Sequence, residues 1–107
     1  MKKFLLLLSI VPIAIAGCGG SDEGSPSGAK TAGAELFNSA GCAGCHALSE
    51  ADANGPVGPD LDGLKLDEQR VQEQIENGGG SMPSFKGRLT PAEIDRLARF
   101  VSRASQS

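Results

Sequence analysis

The sequence predicts an all-α domain with three main helices, on three observations. Apolar residues recur at helical spacing in three separate segments, Gly- and Pro-rich stretches punctuate them, and no run alternates apolar and polar residues as a half-buried strand would. The first segment, near residues 31–40, carries Leu36 and Phe37 and stops at Gly41. The second, near residues 67–77, places Val71 and Ile75 one helical turn apart and ends at Gly78, Gly79 and Gly80. The third opens with Thr90, Pro91, Ala92 and Glu93, a capping box with proline at the first helical position. Its apolar residues Ile94, Leu97, Ala98 and Val101 share a face, with Phe100 beside them. Between the first two helices, residues 55–64 hold too much Gly and Pro for regular structure, and so long a loop in a small domain usually has a task.

Residues 1–17 are set apart from this domain. Lys2 and Lys3 precede an apolar run over residues 4–16 and then small residues, the layout of an export signal. The run is shorter than the about 20 residues of a spanning helix, and Pro12 argues against the alternative of a retained membrane anchor. The junction Ile15, Ala16, Gly17, Cys18 resembles the lipobox of bacterial lipoproteins. That resemblance implies cleavage before Cys18 and a diacylglyceryl group on its sulfur. Each buried methylene would add about 0.8 kcal/mol of membrane affinity, so two or more acyl chains anchor firmly. Residues 18–29, rich in Gly, Ser and Pro, read as a flexible tether from that anchor. A domain over residues 30–104 and a short tail over 105–107 complete the expected organisation.

Charge narrows the partners. The 107-residue chain has a formal charge of −3, and without Lys2 and Lys3 eight basic residues face thirteen acidic ones, giving −5. No basic stripe is available to displace counterions from phosphates, so nucleic acid is not an expected partner. Proteins with basic docking faces fit better. Asp60, Asp62, Asp67 and Glu68 read as a solvated acidic surface.

The chemistry centres on residues 42–46, CAGCH, the haem-attachment pattern C-x-x-C-H. Two thiols one compact turn apart reach two positions on one edge of a macrocycle, and the next imidazole then comes up beneath the iron. Small Ala43 and Gly44 permit the turn. Three other readings compete. A thioredoxin-like site needs a strand-helix-strand setting, which is not apparent. Structural zinc needs four ligands, and with Cys18 assigned to lipid only Cys42, Cys45 and His46 remain among Cys and His. A disulfide between Cys42 and Cys45 would close a very small, strained loop.

With these residues in place, the chain from about residue 30 to 102 resembles the class I cytochromes c. The helix carrying Gly33 and Phe37 looks like the family's N-terminal helix, which crosses the C-terminal helix; its partners here would be Leu97 and Phe100. Gly58, Pro59, Asp60 and Leu61 are similar to the family loop whose proline carbonyl accepts a hydrogen bond from the ligand imidazole. This implies that Pro59 fixes the tautomer of His46 and raises its basicity. The resemblance implies a cytochrome c fold, helices and loops wrapped around one covalent haem c.

The second axial ligand follows by elimination and by resemblance. His46 is the one histidine, and of two methionines Met1 departs with the signal. Met82 is left, in a GGGSMPSF stretch similar to the family's ligand loop in having Met followed by Pro. An isolated Met often just fills a core gap, but Gly80, Ser81 and Pro83 do not suit a packed helical position. A Met/His pair raises the reduction potential. Leu61, Leu64, Ile75, Phe85 and Leu89 are expected to line the haem pocket, where cofactor contact and core packing coincide. Arg88 or Lys86 is a candidate partner for a propionate.

The expected function is therefore single-electron transfer outside the cytoplasm, at a membrane surface, to transient redox-partner proteins and with no small-molecule substrate. A peroxidase needs an open iron position and distal acid-base groups, and a gas sensor needs a labile Met82; a subunit of a larger complex is a further alternative. Only Phe37, Phe85 and Phe100 supply aromatic bulk to the domain, which puts it near the lower size limit for a self-sufficient core. The Cys42→Ser, Cys45→Ser double variant, made without haem, is expected to be largely unfolded; protected, cooperative hydrogen exchange in that variant would contradict this.

Overall fold

The structure, a computed structural model, describes residues 26–107. The export signal read over residues 1–17, Cys18 and the first part of the tether lie outside the described residues. Helix α1 spans Pro26–Ser39, α2 spans Glu68–Asn77 and α3 spans Pro91–Ala104. Single 3-10 turns occupy Cys42–Gly44 and Ser49–Ala51. Strands β1, Ala47–Leu48, and β2, Ala53–Asn54, pair antiparallel with Ala47 opposite Asn54 and Leu48 opposite Ala53.

The three helices stand where the apolar spacing puts them, and the strands correct the expectation of a purely α domain. The fold is mostly helical with a two-stranded sheet. Strands of two residues are too short to show an alternating pattern, so no periodicity marks them in the sequence. Asp52, in the left-handed region at φ 50°, turns the chain between them. Helix α1 also begins earlier than expected, at Pro26, so residues 26–29 continue a helix instead of the tether.

Helix α3 is the centre of the packing. Thr90 Oγ1 accepts from Glu93 N at 3.1 Å and Thr90 N donates to Glu93 Oε1 at 2.9 Å, which completes the capping box. The face with Ile94, Leu97, Ala98 and Val101 is buried, together with Phe100 and Ala104. Helix α1 crosses it, as the resemblance of the helix carrying Gly33 and Phe37 to the family's N-terminal helix implies. The Phe37 and Phe100 rings meet edge to face, with centroids 6.2 Å apart and planes at 63°. A Cβ on Gly33 would lie 2.5 Å from Phe100 Cγ, so the two helices approach this closely only because position 33 has no side chain.

Helix α2 packs on α3 through Val71 and Ile75. Its start is capped by Asp67, whose side chain accepts from Arg70 N at 3.2 Å. Ser105, the first residue of the stretch read as a tail, is fully buried. Its Oγ accepts from Leu66 N at 3.0 Å and its carbonyl accepts from Lys65 N at 2.9 Å. The chain end is therefore clamped onto the segment that leads into α2.

Gly33→Ala tests the helix crossing. Alanine gains about 1 kcal/mol over glycine in a helix interior, but moving the fully buried Phe100 ring costs more, on the order of 1–3 kcal/mol. A net loss of stability is expected in denaturant unfolding; a gain would show that the crossing has room to spare.

Candidate functional site

The turn after α1 arranges the two thiols and the imidazole. Gly41, at φ 89°, reverses the chain in a conformation that other residues rarely adopt. Cys42 O then accepts from both Cys45 N, at 3.1 Å, and His46 N, at 2.9 Å, drawing the pentad into one compact turn. Cys42 and Cys45 are not joined in a disulfide. Burial pushes the Cys42 thiol up to about 11, the proximity of Cys45 adding to the rise against a backbone hydrogen bond.

The backbone that follows β2 lies directly against this turn. Gly55 N donates to His46 O at 3.1 Å and Gly58 N donates to Cys45 O at 2.6 Å. A Cβ on Gly55 would stand 2.4 Å from the Cys45 carbonyl carbon, and one on Gly58 would stand 2.5 Å from His46 Cε1. Both positions need glycine for this approach. The result is that His46 Nδ1 lies 2.9 Å from Pro59 O. A carbonyl oxygen only accepts, so Nδ1 carries the proton and Nε2 keeps its lone pair.

The next residues are held to the sheet. Leu61 N donates to Ala47 O at 2.9 Å. The Asp62 carboxylate accepts from Ser49 N at 3.1 Å and from Ser49 Oγ at 2.7 Å. These bonds hold its carboxyl below the ordinary aspartate value of 3.8, with the Ser49 hydroxyl the largest cause.

A cavity of about 890 Å³ opens beside the turn, within the roughly 300–1,000 Å³ that ligand sites occupy. Cys42, Cys45, His46, Pro59, Leu61 and Met82 all line it. The expected pocket residues Leu64, Ile75 and Phe85 line it as well, whereas Leu89 packs against the core instead. Of the two cations proposed for a propionate, Arg88 reaches the cavity wall, stacked 5.4 Å from the centroid of Phe85, and Lys86 does not. Lys65, Arg70 and Gln74, not singled out from sequence, line it too. Gln74 sits one turn beyond Val71 on the same helix face, a signal that the search for apolar residues passed over. The steric demand at Gly55 and Gly58 has no sequence signal beyond glycine itself.

This donor set fits a haem: two thiols on one turn, an imidazole nitrogen free of its proton, a thioether and an apolar wall with cations on it. Among the described residues, no cluster of three or more His, Cys, Asp or Glu is arranged to hold a metal ion.

Comparison with known proteins gives the same answer. A family model described as cytochrome C oxidase, cbb3-type, subunit III, matches residues 28–101. The chain is 35% identical over 115 residues to cytochrome c-551 of Bacillus subtilis (strain 168), which covers 95% of this chain and 97% of that protein. The chain belongs to the cytochrome c family. It is also 38% identical over 74 residues to cytochrome c6 of Leptolyngbya boryana, across 65% of this chain and 86% of that one. The crystal structure of the c-type cytochrome SorU from Sinorhizobium meliloti superimposes with a TM-score of 0.67 at 39% identity, covering 76% of this cytochrome and 95% of SorU. Its cofactor is thus a covalently bound haem c, and its general role is electron transfer.

The Asp62 contacts carry a pH signature. Because the folded carboxyl titrates below its ordinary value, its contribution to stability is present above 3.8 and is lost as pH falls through the lowered value. Asp62→Asn is expected to flatten that part of the acid unfolding curve. An unchanged acid limb would show that the Ser49 contacts contribute nothing measurable.

Proposed function

We propose that this cytochrome is a single-electron carrier in which haem c is joined to Cys42 and Cys45 and its iron is held by His46 and Met82. The observation that carries this reading is the single cavity on which both thiols, His46 and Met82 converge. Haem supplies a one-electron couple when bound. Everything else falls to the chain.

His46, which lines the cavity, donates its Nδ1 proton to Pro59 O and keeps the Nε2 lone pair. The bond raises the basicity of the ring and prevents it from rotating. Met82 presents a soft, neutral sulfur, and a His/Met pair stabilises the reduced state. With His46 and Met82 both holding the iron, no position would be left for a substrate, and the protein would act as a carrier instead of an enzyme. Leu61, Ile75 and Phe85 exclude water from the cofactor faces, while Arg88 offers a cation to a propionate.

The carrier works outside the cytoplasm, on a membrane, exchanging electrons with transiently docked redox proteins. Support for this location comes from the sequence: the export signal over residues 1–17 and Cys18 placed for lipidation. Among the described residues no helix is long and apolar enough to cross a membrane.

Reduced protein should leave added carbon monoxide unbound, and Met82→Ala should bind it and titrate at a lower potential while its haem stays covalently attached. Tight carbon monoxide binding by the unaltered protein would contradict axial ligation by Met82 and favour a gas-binding role.

A further inference from the structure

Residues 58–62 run alongside residues 45–49 and are joined to them by rungs in matching order. Gly58 N donates to Cys45 O at 2.6 Å, His46 Nδ1 to Pro59 O at 2.9 Å, and Leu61 N to Ala47 O at 2.9 Å. The last rung is made by a side chain: the Asp62 carboxylate accepts from Ser49 N at 3.1 and 3.2 Å and from Ser49 Oγ at 2.7 Å. Asp62 N donates to Asp60 Oδ1 at 3.0 Å, and beyond it Gly63, at φ 74°, turns the chain away. Pro59 has no N–H of its own to tie it down, so its carbonyl is placed by the rungs on either side. Before it stands the Gly58 bond; after it stand the Leu61 bond and the Asp62 contacts, whose charged acceptor makes them the strongest kind in the set.

We infer that Asp62 is a positioning residue that, through its bonds to Ser49, holds the Pro59 carbonyl on His46 and so keeps the reduction potential of this cytochrome down. This inference rests on the reading of His46 as an axial ligand. Without the Asp62 contacts, the segment after Pro59 is tied to residues 45–49 by Leu61 N alone, and the carbonyl can drift from Nδ1. A weaker bond to Nδ1 leaves the ring less basic and a poorer donor to iron. A poorer donor disfavours the oxidised state, which carries one more positive charge, so the potential rises.

Asp62→Ala and Ser49→Ala test this together. Asp62→Ala removes the whole rung and also a negative charge, whose loss by itself raises the potential. The purified haem-bearing proteins are therefore titrated in about 1 M salt, where the Debye length is about 3 Å and an exposed charge is screened. Ser49→Ala removes only the hydroxyl and changes no charge. At a fixed ambient potential, Asp62→Ala is expected to be about two- to fivefold more reduced than the parent, the range of one modest hydrogen bond. Ser49→Ala should shift the same way by less, and Ser49→Thr, which keeps the hydroxyl, should titrate with the parent. In both alanine variants the Nδ1 proton of His46 in the reduced protein should exchange with solvent faster than in the parent. A role confined to holding the loop would leave that proton unmoved.

An unchanged or lowered potential in Asp62→Ala, or a raised one with the Nδ1 proton exchanging as in the parent, would overturn this inference and leave His46 ligation intact. Should Asp62→Ala fail to retain haem, the same two measurements on Ser49→Ala decide. A parent protein whose reduced form lacks the ring-shifted imidazole protons of an iron-bound histidine would overturn both.

Discussion

Backbone can lie flat against the Cys45–His46 peptide only where no Cβ intervenes, and the arrangement of the site follows from that restriction. Glycines at 55 and 58 let the chain after β2 run directly over the turn that carries both thiols. The approach delivers the Pro59 carbonyl to His46 Nδ1, and this single contact chooses the tautomer, leaving Nε2 with its lone pair. It also fixes where the chain goes next: Leu61 is pinned to Ala47 and faces the cavity, and Asp62 is pinned to Ser49. The two short strands belong to the same device, because they return the chain to the turn it has just left.

The opposite requirement, a firmly held thioether, is met by a second close approach. Gly78, at φ 67°, ends α2, and a side chain there would stand 2.6 Å from Met82 O. The methionine loop in turn supplies the donors that the last carbonyls of α2 need. Helix end and methionine loop thus complete each other, and Met82 takes on the rigidity of a helix although it lies in irregular chain. Such rigidity suits the ligand role proposed for Met82, since an electron moves readily when ligands need not rearrange.

The family and its haem c were legible in the sequence where the fold's edges were not, for physical reasons. CAGCH is local: spacing and residue type are the whole requirement, and the turn forms as expected. The scarcity of His and Met made His46 and Met82 visible by elimination, and the family resemblance led to Pro59 and to the crossing of Gly33 and Phe37 with Phe100, both present in the structure. The two-residue strands were illegible because their pairing is set by the loop around them and not by any pattern within them. The Pro26 start of α1 was obscured by a composition that reads as linker. Gln74 was hidden by its chemistry, a polar residue on a helix face searched for apolar ones, and Leu89 was misassigned because apolar character does not distinguish the cavity wall from the core behind it.

Helix α3 makes these parts one cooperative unit. On one side Phe100 locks against α1, just ahead of the turn with the thiols; on another, Leu97 and Val101 contribute to the cavity wall. At its end Ser102 Oγ donates to Leu66 O, and Ser105 receives Leu66 N and Lys65 N, closing the chain over the segment that enters α2. Loosening α3 would therefore release the thiol-bearing turn, the cavity wall and the start of α2 together. A domain this small has no second core to retain the cofactor in a fixed environment while one element frays. The fixed placing of His46 and Met82 on the cavity depends on all three helices remaining packed at once.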